Sequence, residues 1–163
     1  MNPTIFTKLG KMKKEDKELL LQDLCSRLPY GLVIDYNGLR TTLHDVKVFQ
    51  LYDGDVIKDY NCLIDIFGDN DYVDVENIKP YLFPLSSMTK EQKKEISKRY
   101  NLHTPYGLCI EITNHSEGYW DTDTSCDLRD YLWLIDYFYK NHIDFRGLIE
   151  LGLAKDATGL NIY

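Results

Sequence analysis

The sequence predicts an α+β fold in which an N-terminal helix covers an antiparallel β-meander, followed by a second helix-strand unit and a buried C-terminal helix. Three observations predict it: a charged helical pattern ahead of alternating apolar residues, an Asn-Gly turn between two such runs, and a Pro-Tyr-Gly-Leu string that occurs twice. With 163 residues, of which 44% are hydrophobic, the chain can bury a core as one domain or two small ones. We expect one globular body.

The repeated string is Pro29-Tyr30-Gly31-Leu32, which returns 76 positions later as Pro105-Tyr106-Gly107-Leu108. The match extends without gaps into the helical pattern upstream, where Leu20 corresponds to Ile96, and into the apolar run downstream. One interpretation is a single helix-strand unit used twice. The other is that two helix-strand junctions converged on similar residues, because a Pro ends a helix and a Gly permits the bend that follows.

The first helix is predicted from Lys13 to about Leu28, because Leu20 and Leu24 recur at helical spacing and Pro29 cannot continue it. Further strands are predicted near 46–52, around 55–58 and at 62–67, so that residues 30–76 form an antiparallel meander. The predicted order along the chain is a lead-in at 1–12, the helix and meander at 13–77, an apolar connector at 78–88 that packs between the halves, and a helix-strand-helix-helix unit at 89–163.

A β-hairpin is the clearest local feature of the sequence. Asn37-Gly38 suits a two-residue type I′ turn, in which both central residues have positive φ. Such a turn sets the register, so Asp35 is predicted to face Arg40 on one side of the hairpin. On the other side the predicted pairs are Tyr36 with Leu39, Ile34 with Thr41 and Leu32 with Leu43.

The C-terminal half is predicted to be mostly helical. The second helix begins at Thr89, whose side chain can form a capping box with Gln92. The third helix, capped by Thr124 or Ser125, has an apolar stripe so wide that burial on more than one side is expected. A last short helix is predicted from Phe145 to Leu151. The stripe consists of Leu128, Tyr131, Leu132, Ile135, Phe138, Tyr139 and His142, widened by Trp133, Leu134 and Tyr137.

The charge balance excludes several classes of partner. A formal net charge of -7 and a pI of about 5.0 argue against a protein that neutralises phosphates or lies on anionic lipid. The sequence also contains no apolar run long enough to cross a bilayer and no Gly-rich phosphate loop. We therefore predict no nucleic-acid, membrane or cofactor partner, and we expect an as yet unidentified protein partner.

The four cysteines indicate a reducing compartment. Cys25, Cys62, Cys109 and Cys126 form no Cys-x-x-Cys pair and have no metal-ligand spacing. The polar N-terminus lacks the apolar region of a secretory signal. These features predict a cytoplasmic protein whose cysteines are small buried apolar residues.

Three segments resemble a family of small uncharacterised proteins from gut anaerobes and their phages. They are Leu28 to Gly31, Ile78 to Thr89 (Ile-Lys-Pro-Tyr-Leu-Phe-Pro-Leu-Ser-Ser-Met-Thr) and Asn141 to Glu150 (Asn-His-Ile-Asp-Phe-Arg-Gly-Leu-Ile-Glu). The resemblance spans most of the chain after residue 13. It carries no known activity, so it assigns no functional residue, and it implies an accessory protein of a phage or mobile element.

An acidic stretch before the third helix is the candidate metal site. His115, Glu117, Asp121 and Asp123 combine an imidazole with carboxylates, which is a ligand set of metal-dependent hydrolases. The stretch departs from the EF-hand pattern, since Cys126 stands where Gly is required. A metal-dependent hydrolase is therefore an alternative function, and an acid-rich helix cap without metal is the alternative structural interpretation.

Aromatic content points to binding. The chain has 13 tyrosines, and Tyr119-Trp120 lies in a predicted loop beside the acidic stretch. Tyr and Trp bury a large apolar area while keeping a polar end, which suits interfaces. The leading hypothesis is thus a non-catalytic interaction protein that binds through Tyr119 and Trp120. A further alternative is an acidic mimic of nucleic acid, whereas His142, Asp144 and Arg146 are predicted to have a structural role at a helix end.

Overall fold

The computed structural model describes residues 12–53, 56–65, 68, 72–99 and 128–163, and these form an α+β fold as predicted. Short 3₁₀ turns lie at Leu28–Tyr30, Val75–Asn77 and Leu85–Ser87. No helix of the described residues is both long and apolar enough to span a membrane. The elements are α1 (Lys14–Arg27), β1 (Val33–Tyr36), β2 (Leu39–Thr42), β3 (Asp45–Asp53), β4 (Val56–Asp65), β5 (Tyr72–Asp74), β6 (Ile78–Pro84), α2 (Lys90–Arg99), α3 (Leu128–Lys140), β7 (Ile143–Asp144) and β8 (Lys155–Asp156).

Helix α1 and the β1–β2 hairpin match the sequence prediction. Leu20 and Leu24 are fully buried, as their helical spacing indicated. The hairpin has the predicted register, in which Asp35 pairs with Arg40. Its turn is left-handed at both central residues, with φ of 52° at Asn37 and 89° at Gly38.

The hairpin turn provides a test of local backbone control. Gly38→Ala is expected to lower the free energy of unfolding by about 1–2 kcal/mol, because an L side chain disfavours positive φ. A Cβ at this position would meet no heavy atom within 4 Å, so the expected loss comes from the backbone alone. Urea denaturation measures it. Asn37→Asp is the control, since Asp tolerates this conformation, and an equal loss in both variants would contradict the explanation.

The first sheet corrects the prediction of a connector at 78–88. These residues include β6, which pairs antiparallel with β1 and parallel with β7 and β8, so β6 is the central strand. The two prolines are tolerated because they lie at boundaries: Pro80 is the last β6 residue paired with β1, and Pro84 ends the strand. The expected packing between the two halves is therefore achieved through strand pairing.

The second sheet corrects the prediction of one continuous meander. Strands β3, β4 and β5 form a separate antiparallel sheet, and the hairpin pairs with β6 instead of continuing into β3. The two strands expected at 55–58 and 62–67 are one strand, β4, and its pairing with β3 shifts register between Leu51 and Tyr52. The two sheets meet where the backbone N–H of Leu43 donates to the carbonyl of Leu32 and that of His44 donates to the carbonyl of Asp65.

Helix α2 begins as predicted. The Gln92 N–H donates to the Thr89 hydroxyl at 3.1 Å, and the Thr89 N–H donates to the Gln92 side chain at 2.9 Å, which completes the capping box. Ile96 is buried against α3, and the Tyr137 hydroxyl donates to the Glu95 carboxylate at 3.0 Å. Burial and this carboxylate raise the pKa of Tyr137 to about 12.

The burial of α3 differs from the prediction. Leu132 and Ile135 of the expected stripe are 57% and 39% exposed, whereas Leu134 and Tyr137 are buried. Phe138, Tyr139 and His142 of the expected stripe are buried, so the stripe is exposed in part, and burial extends to residues that only widened it. The cause is the helix's contact with α2 and with the end of α1, which a nearly all-round apolar pattern does not specify.

Two smaller predictions are wrong. Phe145 to Leu151 forms turns instead of a helix, because Gly147 within this segment and Gly152 just after it have left-handed backbone conformations. Cys25 is exposed, because it lies on the side of α1 that faces away from Leu20 and Leu24. The expectation of buried cysteines therefore fails at this position.

The proposed internal repeat agrees with the structure where it is described. Helix α2 starts at Lys90, 76 positions after α1 starts at Lys14, and the matched residues Leu20 and Ile96 are both buried. The second Pro-Tyr-Gly-Leu string lies outside the described residues. Both interpretations of the repeat therefore stand.

Candidate functional site

The site residues predicted from sequence lie outside the described residues. Tyr119 and Trp120, and the metal set of His115, Glu117, Asp121 and Asp123, all fall between 100 and 127. Among the described residues no group of three or more His, Cys, Asp or Glu side chains is placed to hold a metal ion. The candidate metal and aromatic sites therefore remain predictions.

The polar junction, defined as Asp23, Arg27, Tyr139, His142 and Arg146, joins the end of α1 to the end of α3. Its centre is a fully buried ion pair, in which Arg27 Nε lies 2.7 Å from Asp23 Oδ2 and Nη2 lies 3.1 Å from Oδ1. The remaining N–H groups of the guanidinium donate to backbone carbonyls of Phe138 (3.3 Å), Tyr139 (3.5 Å) and Ile143 (2.8 Å).

The Arg27 contacts satisfy the last carbonyls of α3, which have no partner within their own helix. A cation at this end also interacts favourably with the helix dipole. Arg27, rather than His142, makes these contacts. The other bonds of the His142 to Arg146 segment agree with the structural role predicted for it at this helix end.

Those other bonds involve Asp144 and Arg146. The Asp144 carboxylate accepts from the N–H groups of Leu148 at 2.9 Å and Ile149 at 2.8 Å, which orders the turn that follows. Arg146 Nη2 donates to the Tyr139 hydroxyl at 2.7 Å, and its Nε lies 3.8 Å from Asp23. Burial raises the pKa of Asp23, while Arg27 and Arg146 oppose that rise.

His142 has the least satisfied polar group of the junction. The backbone of His142 has a left-handed conformation, with φ of 54°. The residue is 5% exposed, and its Nδ1 atom has no hydrogen-bond partner among the described residues. Its ring stacks on Tyr163 with centroids 3.8 Å apart and an interplanar angle of 12°. Burial, with the Arg27 charge, lowers the pKa of His142 to about 4, although a hydrogen bond to the Tyr30 backbone opposes this.

Tyr163 extends the junction to the first sheet. Its hydroxyl donates to the Tyr81 carbonyl at 2.7 Å and accepts from the Val33 N–H at 3.2 Å. The residue as a whole is 45% exposed, but its ring lies against His142 and Phe83, and burial raises the pKa of the hydroxyl to about 12. The hydroxyl is therefore a structural bridge between β1 and β6.

The junction explains the first Pro-Tyr-Gly-Leu string. Tyr30 donates a hydrogen bond to the Asp136 carboxylate of α3, and this bond raises the pKa of Tyr30. Gly31, with φ of 68°, turns the chain from the end of α1 into β1. Because the charges of the junction are satisfied within the protein, its arrangement supports a structural role rather than substrate binding.

A second polar cluster lies on the first sheet around Asp35. Lys155 Nζ is 3.0 Å from Asp35 Oδ2, and the Tyr81 hydroxyl donates to Oδ1 at 3.3 Å. Burial raises the pKa of Asp35, but the bonds from Lys155, Gly38 and Tyr81 outweigh it and leave the pKa lowered. Arg40 and Lys155 also lie over the Tyr81 ring, 5.3 and 5.7 Å from its centroid. These cations already have partners within the sheet.

The candidate interaction surface is the β3–β4 arm, which consists of 45–53 and 56–65. Strands β3 and β4 pair along their whole length, whereas β5 pairs with β4 only at Leu63–Asp65. Among the described strands, the arm is therefore two-stranded from Val48 and its partner Cys62 outward, and β3 is an edge strand.

The base of the arm is part of the core, and the side of β3 that faces the core carries a further apolar residue beyond it. Ile64 is fully buried and its partner Val46 packs against the same cluster, but Val48, two positions along the same side, is 47% exposed. Two-stranded ribbons are only marginally stable in water, and open strand edges bind other strands. The arm thus has both the backbone groups and the apolar surface of a binding element.

Comparisons with protein-family models, with curated proteins and with solved structures gave no match.

Asp23 and Arg27 are absent from the residues predicted from sequence, although the sequence contains a signal for them. Arg27 follows Leu20 and Leu24 at helical spacing, so it lies on the apolar side of α1, and Asp23 precedes it by four residues. A charged pair at that spacing on the buried side of a helix indicates an internal ion pair. The arm could not be identified in the same way, because the number of strands that flank it depends on pairing with distant residues.

Proposed function

We propose that this protein is a non-catalytic interaction protein and that the β3–β4 arm binds its protein partner. The observation that carries the proposal is the extension of β3 and β4 beyond the three-stranded sheet, in which the nine-residue β3 (Asp45–Asp53) is an edge strand among the described strands. A partner strand that pairs with β3 would satisfy its outer backbone groups and cover the apolar side at Val48. The resemblance to proteins of gut anaerobes and their phages supports an accessory role in a phage or mobile element.

Val48→Lys is expected to abolish partner binding without unfolding the protein. The side chain is 47% exposed, so a lysine is tolerated, with a change in the free energy of unfolding of about 0.5 kcal/mol or less. In an interface the same lysine loses its water, and we expect capture of the partner from native host lysate to fall at least about tenfold. Quantitative mass spectrometry of proteins retained by tagged wild type and variant measures this.

Leu39→Lys is the matched control, because Leu39 is a similarly exposed aliphatic residue, 50% exposed, on the edge strand β2 of the other sheet. It should leave the capture unchanged. Trp120→Ala tests the aromatic surface predicted from sequence. Loss of the partner in Trp120→Ala but not in Val48→Lys would move the binding surface to Tyr119 and Trp120. Retention of the same proteins by every variant would contradict both surfaces.

A further inference from the structure

Helix α2 has a face of three lysines that make no contact used by the described part of the fold. Lys90, Lys94 and Lys98 follow each other at intervals of four residues, and all three are exposed. Residues at this spacing lie above one another on a helix. Ile96, the buried residue of α2, lies on the opposite side, at 1% exposure. We call these three residues the lysine face.

None of the three lysines of the lysine face makes an ion pair with a described residue, although Glu91 and Glu95 lie three positions before Lys94 and Lys98. The charged residues on the adjoining side contact α3. Glu95 accepts from Tyr137, and the Arg99 guanidinium lies 5.6 Å from the Trp133 ring centroid. Packing of α2 therefore accounts for Glu95 and Arg99 and does not account for the lysines.

The equivalent face of α1 has a different charge pattern. Positions 76 residues earlier carry Lys14, Glu18 and Gln22, and Lys14 Nζ lies 3.9 Å from the Glu18 carboxylate. In α2 the second and third of these positions are lysine, so an attractive pair is replaced by like charges at four-residue spacing. Like-charge pairs at this spacing destabilise a helix, and α1 avoids them at the equivalent positions.

We propose that the lysine face binds an acidic segment of a protein partner. Four residues of helix rise about 6 Å, so the three ammonium groups suit carboxylates that repeat at about that interval. A short protein segment is favoured over nucleic acid because a duplex carries many closely spaced phosphates, of which three lysines neutralise few. This surface is separate from the arm and goes beyond the function proposed above.

The test compares binding of fluorescein-labelled poly-glutamate and of labelled duplex DNA by fluorescence anisotropy at physiological ionic strength. The variant Lys94→Glu/Lys98→Gln gives α2 the residues that α1 has at these positions. We expect poly-glutamate to bind the wild type more tightly than DNA does, and to bind the variant at least about tenfold more weakly. The melting temperature of the variant should not fall, because it replaces like-charge pairs with an attractive one.

Lys13→Glu/Lys14→Gln is the control, because it changes the net charge by the same amount at two exposed residues where α1 begins. It should retain most of the binding. Equal weakening in both variants would overturn the proposal in favour of a net-charge effect, as would absence of poly-glutamate binding to wild type. Tighter binding of DNA would replace the protein partner with nucleic acid. Val48→Lys should leave poly-glutamate binding unchanged, so failure of the arm and failure of the lysine face are distinguishable.

Discussion

Replacement of Arg27 by alanine is expected to lower the free energy of unfolding by about 3–5 kcal/mol, the cost of leaving a buried charge without its partner. Arg27 and Asp23 are both 0% exposed, so water cannot substitute for the lost guanidinium. The change also removes the donor to the carbonyls of Phe138, Tyr139 and Ile143. Urea denaturation followed by circular dichroism measures the loss.

Two further variants separate this explanation from a general effect of losing arginine. Arg27→Met/Asp23→Leu removes both charges and should regain much of the lost stability. Lys14→Ala breaks a pair of the same spacing that is 61% and 50% exposed, so its loss should stay below about 0.5 kcal/mol. A loss below about 1 kcal/mol in Arg27→Ala would show that the buried pair does not hold α1 to α3.

Acidification from pH 6.5 to pH 4 is expected to destabilise the protein through His142. The pKa of this imidazole is about 4 in the folded protein against 6.5 as the ordinary value, so the unfolded state binds the proton more readily. Stability is therefore lost as pH falls below 6.5, and the loss levels off below pH 4. A difference of this size corresponds to about 3 kcal/mol at most. Thermal or urea unfolding across this pH range measures it.

His142→Asn isolates the contribution of His142, because Asn does not titrate and tolerates positive φ. The difference in stability between wild type and this variant should shrink as the pH falls from 6.5 to 4. Asp35, whose pKa is lowered in the folded protein, also causes a loss of stability as the pH falls. That loss is the same in the wild type and in His142→Asn. His44→Asn, at an exposed histidine, is the control. It should show the same change in the free energy of unfolding between pH 6.5 and pH 4 as the wild type. A constant difference across the range would contradict the buried neutral imidazole.

The features predicted correctly depend on residues close together in the chain. The Asn37-Gly38 turn requires positive φ at two adjacent residues, and it sets the register of the hairpin by itself. The capping box joins Thr89 to a residue three positions away. Burial of Leu20 and Leu24 follows from a helix with a single apolar side. In each case the interacting residues are only a few positions apart in the chain, so few other local structures compete with the observed one.

The features predicted incorrectly depend on choices among distant partners. The apolar run in 78–85 can form either a connector or a central strand. It forms a strand because it pairs with β1, β7 and β8. Helix α3 has apolar residues on most of its circumference, so only its neighbours determine that Leu134 is buried and Leu132 exposed. Loop closure between distant segments depends on the whole fold, which local patterns do not contain.

The same division applies to the candidate sites. By itself the sequence determined the α+β class, the hairpin, the helix starts and an acidic chain whose residues 115–123 combine carboxylates with aromatic rings. Only the tertiary structure decided that Arg27 caps α3, that β3 and β4 extend as an arm, and that the lysine face makes no ion pair among the described residues. The physical reason is that burial, edge exposure and charge pairing are properties of the space around a side chain, which distant parts of the chain fill.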